Sequence, residues 1–170
     1  MTTLESRNAT NDPRMQAARI SRLRVAGDKC SILANKGGVA VADYQVVKLE
    51  QVDDWLGDYP GEMRGITYAI GAEQVAITHR RMPQHTGSKG SYGHRHREQE
   101  ELVFVLKGRL QFKLGDDVVE LTGGQAVRIP PNVVRGIWND EPEDAEIVIV
   151  SKRIADPQGD TENIPEFWPE

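Results

Sequence analysis

The chain has 170 residues, 38% of them apolar and 28% charged, one cysteine and a formal net charge of −5. That length suits one domain, the lone Cys30 excludes an internal disulfide, and no apolar run reaches the length of a membrane-spanning helix. With no hydrophobic signal core at the N-terminus either, a cytoplasmic protein is expected. The charge is uneven: residues 1–40 carry seven Lys/Arg against three Asp/Glu, which is +4 and leaves −9 for the rest. Nucleic-acid binding needs a basic surface on the folded domain, and here the basic part precedes it. No nucleic-acid or membrane partner is therefore expected.

Residues 1–43 read as a flexible extension. Pro13 can open a short helix over Arg14–Arg24, with Met15, Ala18, Ile20 and Leu23 as a partial apolar stripe. A solvated arm is the plainer reading, against a presequence, a nucleic-acid arm or a functional start near Met15. From residue 44 the texture changes to short β-type runs between turn residues: Tyr44–Glu50, Gly65–Ile70, Gln74–Arg80, Glu101–Lys107, Arg109–Leu114, Asp117–Leu121, Gln125–Ile129, Val133–Trp138 and Ala145–Lys152. Gly115-Asp116-Asp117 makes a tight hairpin turn. Many short strands without a long helical period predict an all-β sandwich or barrel over residues 44–153. The tail, residues 154–170, has five acids and no base, and its Phe167-Trp168 pair is expected to pack on the outside of the barrel.

All four histidines, His79, His85, His94 and His96, fall within eighteen residues. His94 and His96, spaced i and i+2, share one face of an extended strand, so both imidazoles reach one point. Glu101, on the next strand of a hairpin, can reach it too. Two nitrogens and one carboxylate oxygen make a borderline first-row metal site. Glu101 facing inward takes Val103 and Val105 with it and turns Leu102, Phe104 and Leu106 outward. That second apolar face calls for cover from another sheet, the N-terminal segment or a second copy of the chain, and a homodimer is expected.

His94-x-His96-x4-Glu101-x6-Gly108 resembles the first conserved motif of the cupins, a superfamily of double-stranded β-helix (jelly-roll) barrels. Gly124-x5-Pro130-x-Asn132-x2-Arg135-x3-Asn139 resembles the second. The family's glycine six residues before the first histidine is absent, Gly87 and Gly90 merely flanking the position. Asn132 stands where the family carries glycine, a mild change because Asn tolerates the left-handed backbone. Arg135 stands where it carries a metal-binding histidine. The resemblance implies a double-stranded β-helix barrel. It leaves function open, since cupins include dioxygenases, isomerases, decarboxylases, storage proteins and sensors.

Arginine stays protonated and offers no lone pair, so Arg135 is no ligand. Two arrangements satisfy it. In one, iron, manganese, nickel, zinc or copper sits on His94, His96 and Glu101, with His85 or water completing the shell. Open positions then suit an oxygenase or isomerase, Arg135 clamps an anionic group of a small organic substrate, and Tyr92 is a further ligand contact. In the other there is no metal: Arg135 pairs with Glu101, and the barrel is a non-enzymatic small-molecule binder. A transcription regulator is disfavoured, because no helix-turn-helix pattern precedes the barrel. His79 is expected to be structural and Asn139 to support a turn. Arg95 and Arg97 should form a solvated face with Glu98 and Glu100. Cys30 has no activating base, and no Ser-His-Asp or phosphate-loop pattern is present.

Overall fold

The computed structural model describes residues 44–170. The N-terminal extension, with its predicted helix over Arg14–Arg24 and Cys30, lies outside the described residues.

Eleven strands, β1 (Glu62–Gly65), β2 (Val75–Met82), β3 (Thr86–Gly87), β4 (Ser91–His96), β5 (Glu101–Lys107), β6 (Arg109–Leu114), β7 (Asp117–Thr122), β8 (Ala126–Ile129), β9 (Arg135–Asn139), β10 (Ala145–Lys152) and β11 (Thr161–Trp168), form two antiparallel sheets. One sheet has the order β1-β2-β10-β5-β8 and the other β11-β4-β9-β6-β7, with β3 pairing onto β9. Two single-turn helices, α1 (Ile66–Ala69) and α2 (Pro157–Asp160), lie at the connections.

Alternation on β5 places Val103 and Val105 inward, opposite Ile149 and Ile147 of β10. Leu110 and Phe112 of β6 face them from the other sheet, and with Met82, Ile129, Ile137 and Ala145 they make one core. Burying each large side chain contributes about 1.5–3 kcal/mol. The outward residues of β5, Leu102, Phe104 and Leu106, remain 48%, 42% and 46% exposed.

The hairpin turn is where the sequence puts it. Leu114 pairs with Asp117, leaving Gly115-Asp116 as a two-residue loop with Gly115 at φ 59°. Asn132 takes φ 67°, the left-handed conformation its place in the second motif requires. The buried Asn139 amide donates to the carbonyls of Met82 and Glu143 and accepts from the Glu141 amide, pinning the turn after β9.

Three segments differ from expectation. Residues 44–48 pair with no strand and lead into a 3-10 turn at Leu49–Gln51, with Tyr44 and Val46 exposed. β propensity without a neighbouring strand makes no sheet. Within Gly65–Ile70, only Gly65 is strand. The helical turn α1 follows because Thr67 is buried and its hydroxyl both accepts from the Ile77 amide and donates to the Ile77 carbonyl. A short apolar run does not distinguish strand from buried helix. Finally, the tail joins a sheet. β11 pairs antiparallel with β4, and Phe167 lies where a Cβ on Gly93 would stand.

Candidate functional site

β4 presents Tyr92, His94 and His96 on one face, by strand alternation. β9 opens on Arg135, the register partner of His94. β5 opens on Glu101, but from the opposite sheet. His96 and Glu101 are therefore not the two arms of a hairpin; residues 97–100 carry the chain from one sheet to the other. That crossing is held by Asp160, whose carboxylate accepts from the Glu98 amide at 2.7 Å and whose carbonyl accepts from the Arg97 amide at 3.0 Å. The Gln99 side chain donates to the Lys152 carbonyl at 2.7 Å.

Arg135 is 2% exposed. Its Nε and Nη2 lie 3.0 and 2.7 Å from Oε2 of Glu101. Oε1 of Glu101 lies 3.1 Å from Nε2 of His96. On the other side of that ring, Nδ1 is 3.1 Å from a carboxylate oxygen of Asp160 and 3.2 Å from the Thr161 hydroxyl. The result is a buried chain, Arg135–Glu101–His96–Asp160. The hydrogen-bond partner of Nδ1 is the Thr161 hydroxyl, which itself donates to the Pro157 carbonyl.

The surroundings set the charges. Burial pushes the Glu101 carboxyl up, but the His96 hydrogen bond and the Arg135 charge outweigh it and hold the group at about 2. Burial, reinforced by Arg135, lowers His94 to about 4, so its imidazole is neutral at pH 7. The His94 and His96 rings meet edge-to-face, 5.4 Å between centroids. Donor atoms of His94, His96 and Glu101 all lie within 4.8 Å of one another, close enough to hold one ion.

Of the other sequence candidates, Tyr92 is half-exposed on the same face as the histidines. Arg135 reaches Glu101 rather than open space. His85 is not brought to the group: its ring stacks on Trp138 and its nearest acid is Asp140, at 3.9 Å. His79 is buried on the opposite face of β2, 3.3 Å from Glu146. Arg95 pairs with Glu162 of β11, and Glu98 and Glu100 with Lys152 and Arg128. A surface cleft beside Lys107, Arg109, Glu141 and Asp144 lies at the far end of β5 and contains none of these groups.

Two residues escaped the sequence reading. Asp160 gave no signal, because it is distant in sequence and sits in an acidic tail. Arg80 was legible in principle: continuing β2 to Met82 puts Thr78, Arg80 and Met82 on one face, making the arginine the one charged residue among them.

Residues 80–151 match the family model of the cupin domain. The barrel has the cupin fold. A polyketide cyclase from Streptomyces resistomycificus is similar in structure at 19% identity and a TM-score of 0.58, covering 74% of this chain and 87% of that one. A sugar phosphate isomerase of the cupin superfamily from Silicibacter pomeroyi is 16% identical with a TM-score of 0.56, over 74% of this chain and 96% of that one. A double-stranded β-helix protein from Klebsiella pneumoniae is 16% identical, covering 71% and 96% with a TM-score of 0.52. A structure from Acidithiobacillus ferrooxidans is matched over only 60% of its own length, at 21% identity and a TM-score of 0.49. No curated protein matches the chain. At these identities the cupin structures establish the fold alone.

Proposed function

We propose that this cupin barrel binds a small organic molecule beside His94 and Tyr92, and that the Arg135–Glu101 pair supplies the charge balance a metal ion would otherwise provide. The observation that carries this reading is the full engagement of the Glu101 carboxylate, with Arg135 on one oxygen and His96 on the other. A metal entering there would replace the His96–Glu101 hydrogen bond and sit near a buried guanidinium, which raises its cost. In this reading His94, neutral and lined up with Tyr92, is the group left for the ligand, and the protein is a binder rather than a metalloenzyme.

One observation favours a metal instead. His94, His96 and Glu101 have their donor atoms within 4.8 Å of one another, and a carboxylate oxygen of Asp160 lies 3.1 Å from Nδ1 of His96, where carboxylates orient metal-bound histidines elsewhere. A divalent transition ion on those three would supply Lewis acidity or redox chemistry, and an oxygenase or an isomerase would be the class to assay. The named activities of the two neighbours, polyketide cyclisation and sugar phosphate isomerisation, belong to proteins under 20% identical and guide only the choice of assay.

The exposed row Leu102, Phe104 and Leu106 supports a homodimer in which a second copy covers the outer face of β5. Among the described residues no helix is long and apolar enough to cross a membrane. A cytoplasmic setting remains part of the proposal.

Thermal unfolding with and without a strong chelator separates the two readings. An unchanged midpoint is the expected result. A lower midpoint on chelation, abolished in a His94→Ala/His96→Ala double variant, would establish the metal site instead.

A further inference from the structure

Arg80 pairs in register with Met63 of β1 and Ile147 of β10. Opposed residues of antiparallel strands share a face, and Ile147 is a core residue with no exposed surface. The Arg80 side chain therefore enters the barrel, two residues from the buried Met82. Its Nε is buried and has no hydrogen-bond partner among the described residues. No described carboxylate pairs with it. Glu62 is committed to Arg64 and Arg81, Glu146 lies against His79, Glu101 pairs with Arg135 and Asp160 lies against His96. Burial lowers its pKa, and the groups that oppose this are the hydroxyls of Tyr59 and Tyr92. His94 also feels its charge.

Arg80 is therefore an inward-facing guanidinium with no carboxylate partner among the described residues. Arg135 is balanced by Glu101, the His96 ring lies against Asp160, and His94 is neutral. Arg80 is left over. Arg80 is half-buried, its guanidinium stays charged, and a charge partly withdrawn from water without a counter-charge is costly. Its planar fork fits the oxygens of a carboxylate or phosphate group.

We infer that the ligand is an oxyanion, a carboxylate or phosphate ester, and that Arg80, beside Tyr92, Tyr59 and His94, is the residue that binds it. Arg135 differs in already having Glu101 as its counter-charge. The inference rests on the reading of the barrel as a small-molecule site, and it adds the ligand's charge and the residue that recognises it.

The test uses the full chain at pH 7, titrated with sodium phosphate or sodium succinate against sodium chloride of matched ionic strength. Binding is followed by calorimetry and by the unfolding midpoint. Wild type should bind at least one of the two anions saturably, and Arg80→Met should weaken that binding about tenfold or more. Phosphate-only or succinate-only binding identifies which oxyanion is preferred. In chloride alone, Arg80→Met should unfold at a higher temperature than wild type, since it removes an unpaired, half-buried charge and keeps most of the apolar stem. A lower midpoint there would mean that the charge is satisfied within the protein, and would overturn the inference. So would anion binding of equal strength in Arg80→Met. If that binding is lost in His94→Ala, the barrel site stands and Arg80 is not its anion receptor. If it survives in both variants, the anion binds elsewhere and both readings fail. Absence of binding by wild type to either anion also overturns the oxyanion assignment.

Discussion

β5 sets Glu101, Val103 and Val105 on one inward face, and β2 sets Arg80 and Met82 on another. Each strand thus gives the cupin interior both an ionic and a hydrocarbon region. In the hydrocarbon region, Val105, Phe112 and Ile147 have no exposed surface and pack in one apolar cluster. In the ionic region, side chains from β4, β5, β9 and α2 converge, and each depends on its partner for a counter-charge. The apolar region tolerates loss in proportion to volume. The ionic one fails whenever a partner is removed, and can be relieved by removing both.

The largest effects should expose this contrast. Phe112→Ala is expected to cost about 3–5 kcal/mol through lost burial and a cavity. Glu101→Ala should cost a similar 3–5 kcal/mol, because it strands the Arg135 guanidinium inside the barrel. Urea denaturation separates the two. Adding Arg135→Met should restore much of the loss in Glu101→Ala and none of it in Phe112→Ala.

Acid should act on the ionic region through His94 and Glu101. His94 is lowered from 6.5 to about 4, so the unfolded chain takes up its proton first and stability falls as pH drops from 6.5 toward 4. Glu101 is lowered from 4.5 to about 2, so its contribution is present above 4.5 and lost as pH falls toward 2. Each loss is on the order of 3 kcal/mol. His94→Gln should flatten the upper window and leave the lower one, as measured by unfolding midpoint against pH; an unchanged profile would contradict the assignment.

Asp160→Asn should cost about 1–3 kcal/mol, since it weakens the hold on His96 and on the crossing at residues 97–100. Nitrogen-15 spectra of His96 should change with it, whereas a core variant should leave them untouched. The smallest effect on folding is expected from Phe104→Glu on the outer face of β5. It should leave the unfolding midpoint nearly unchanged while converting dimer to monomer in light scattering. A wild-type monomer would remove the dimer proposal.

How much of this was legible in the sequence follows from distance along the chain. His94, His96 and Glu101 fall within eight residues, and strand spacing alone is enough to group them. Arg135 joined the group through the family resemblance, and its lack of a lone pair allowed a partnership with Glu101 to be considered. Asp160 was hidden because α2 and β11 fold back from the tail to pair with β4, a contact no local pattern encodes. Arg80 was hidden by strand length: with β2 ending at residue 80, its inward face was not apparent. Tyr44–Glu50 misled for the opposite reason, having strand composition with no strand beside it.

The central claim is that an arginine–glutamate pair stands in for a metal ion in this cupin barrel. Elemental analysis by mass spectrometry of untagged, chelator-free protein tests it most directly, before and after incubation with iron(II), manganese, nickel, zinc and copper. The account predicts no stoichiometric metal under either condition. One ion per chain, lost in the His94→Ala/His96→Ala double variant, would contradict it.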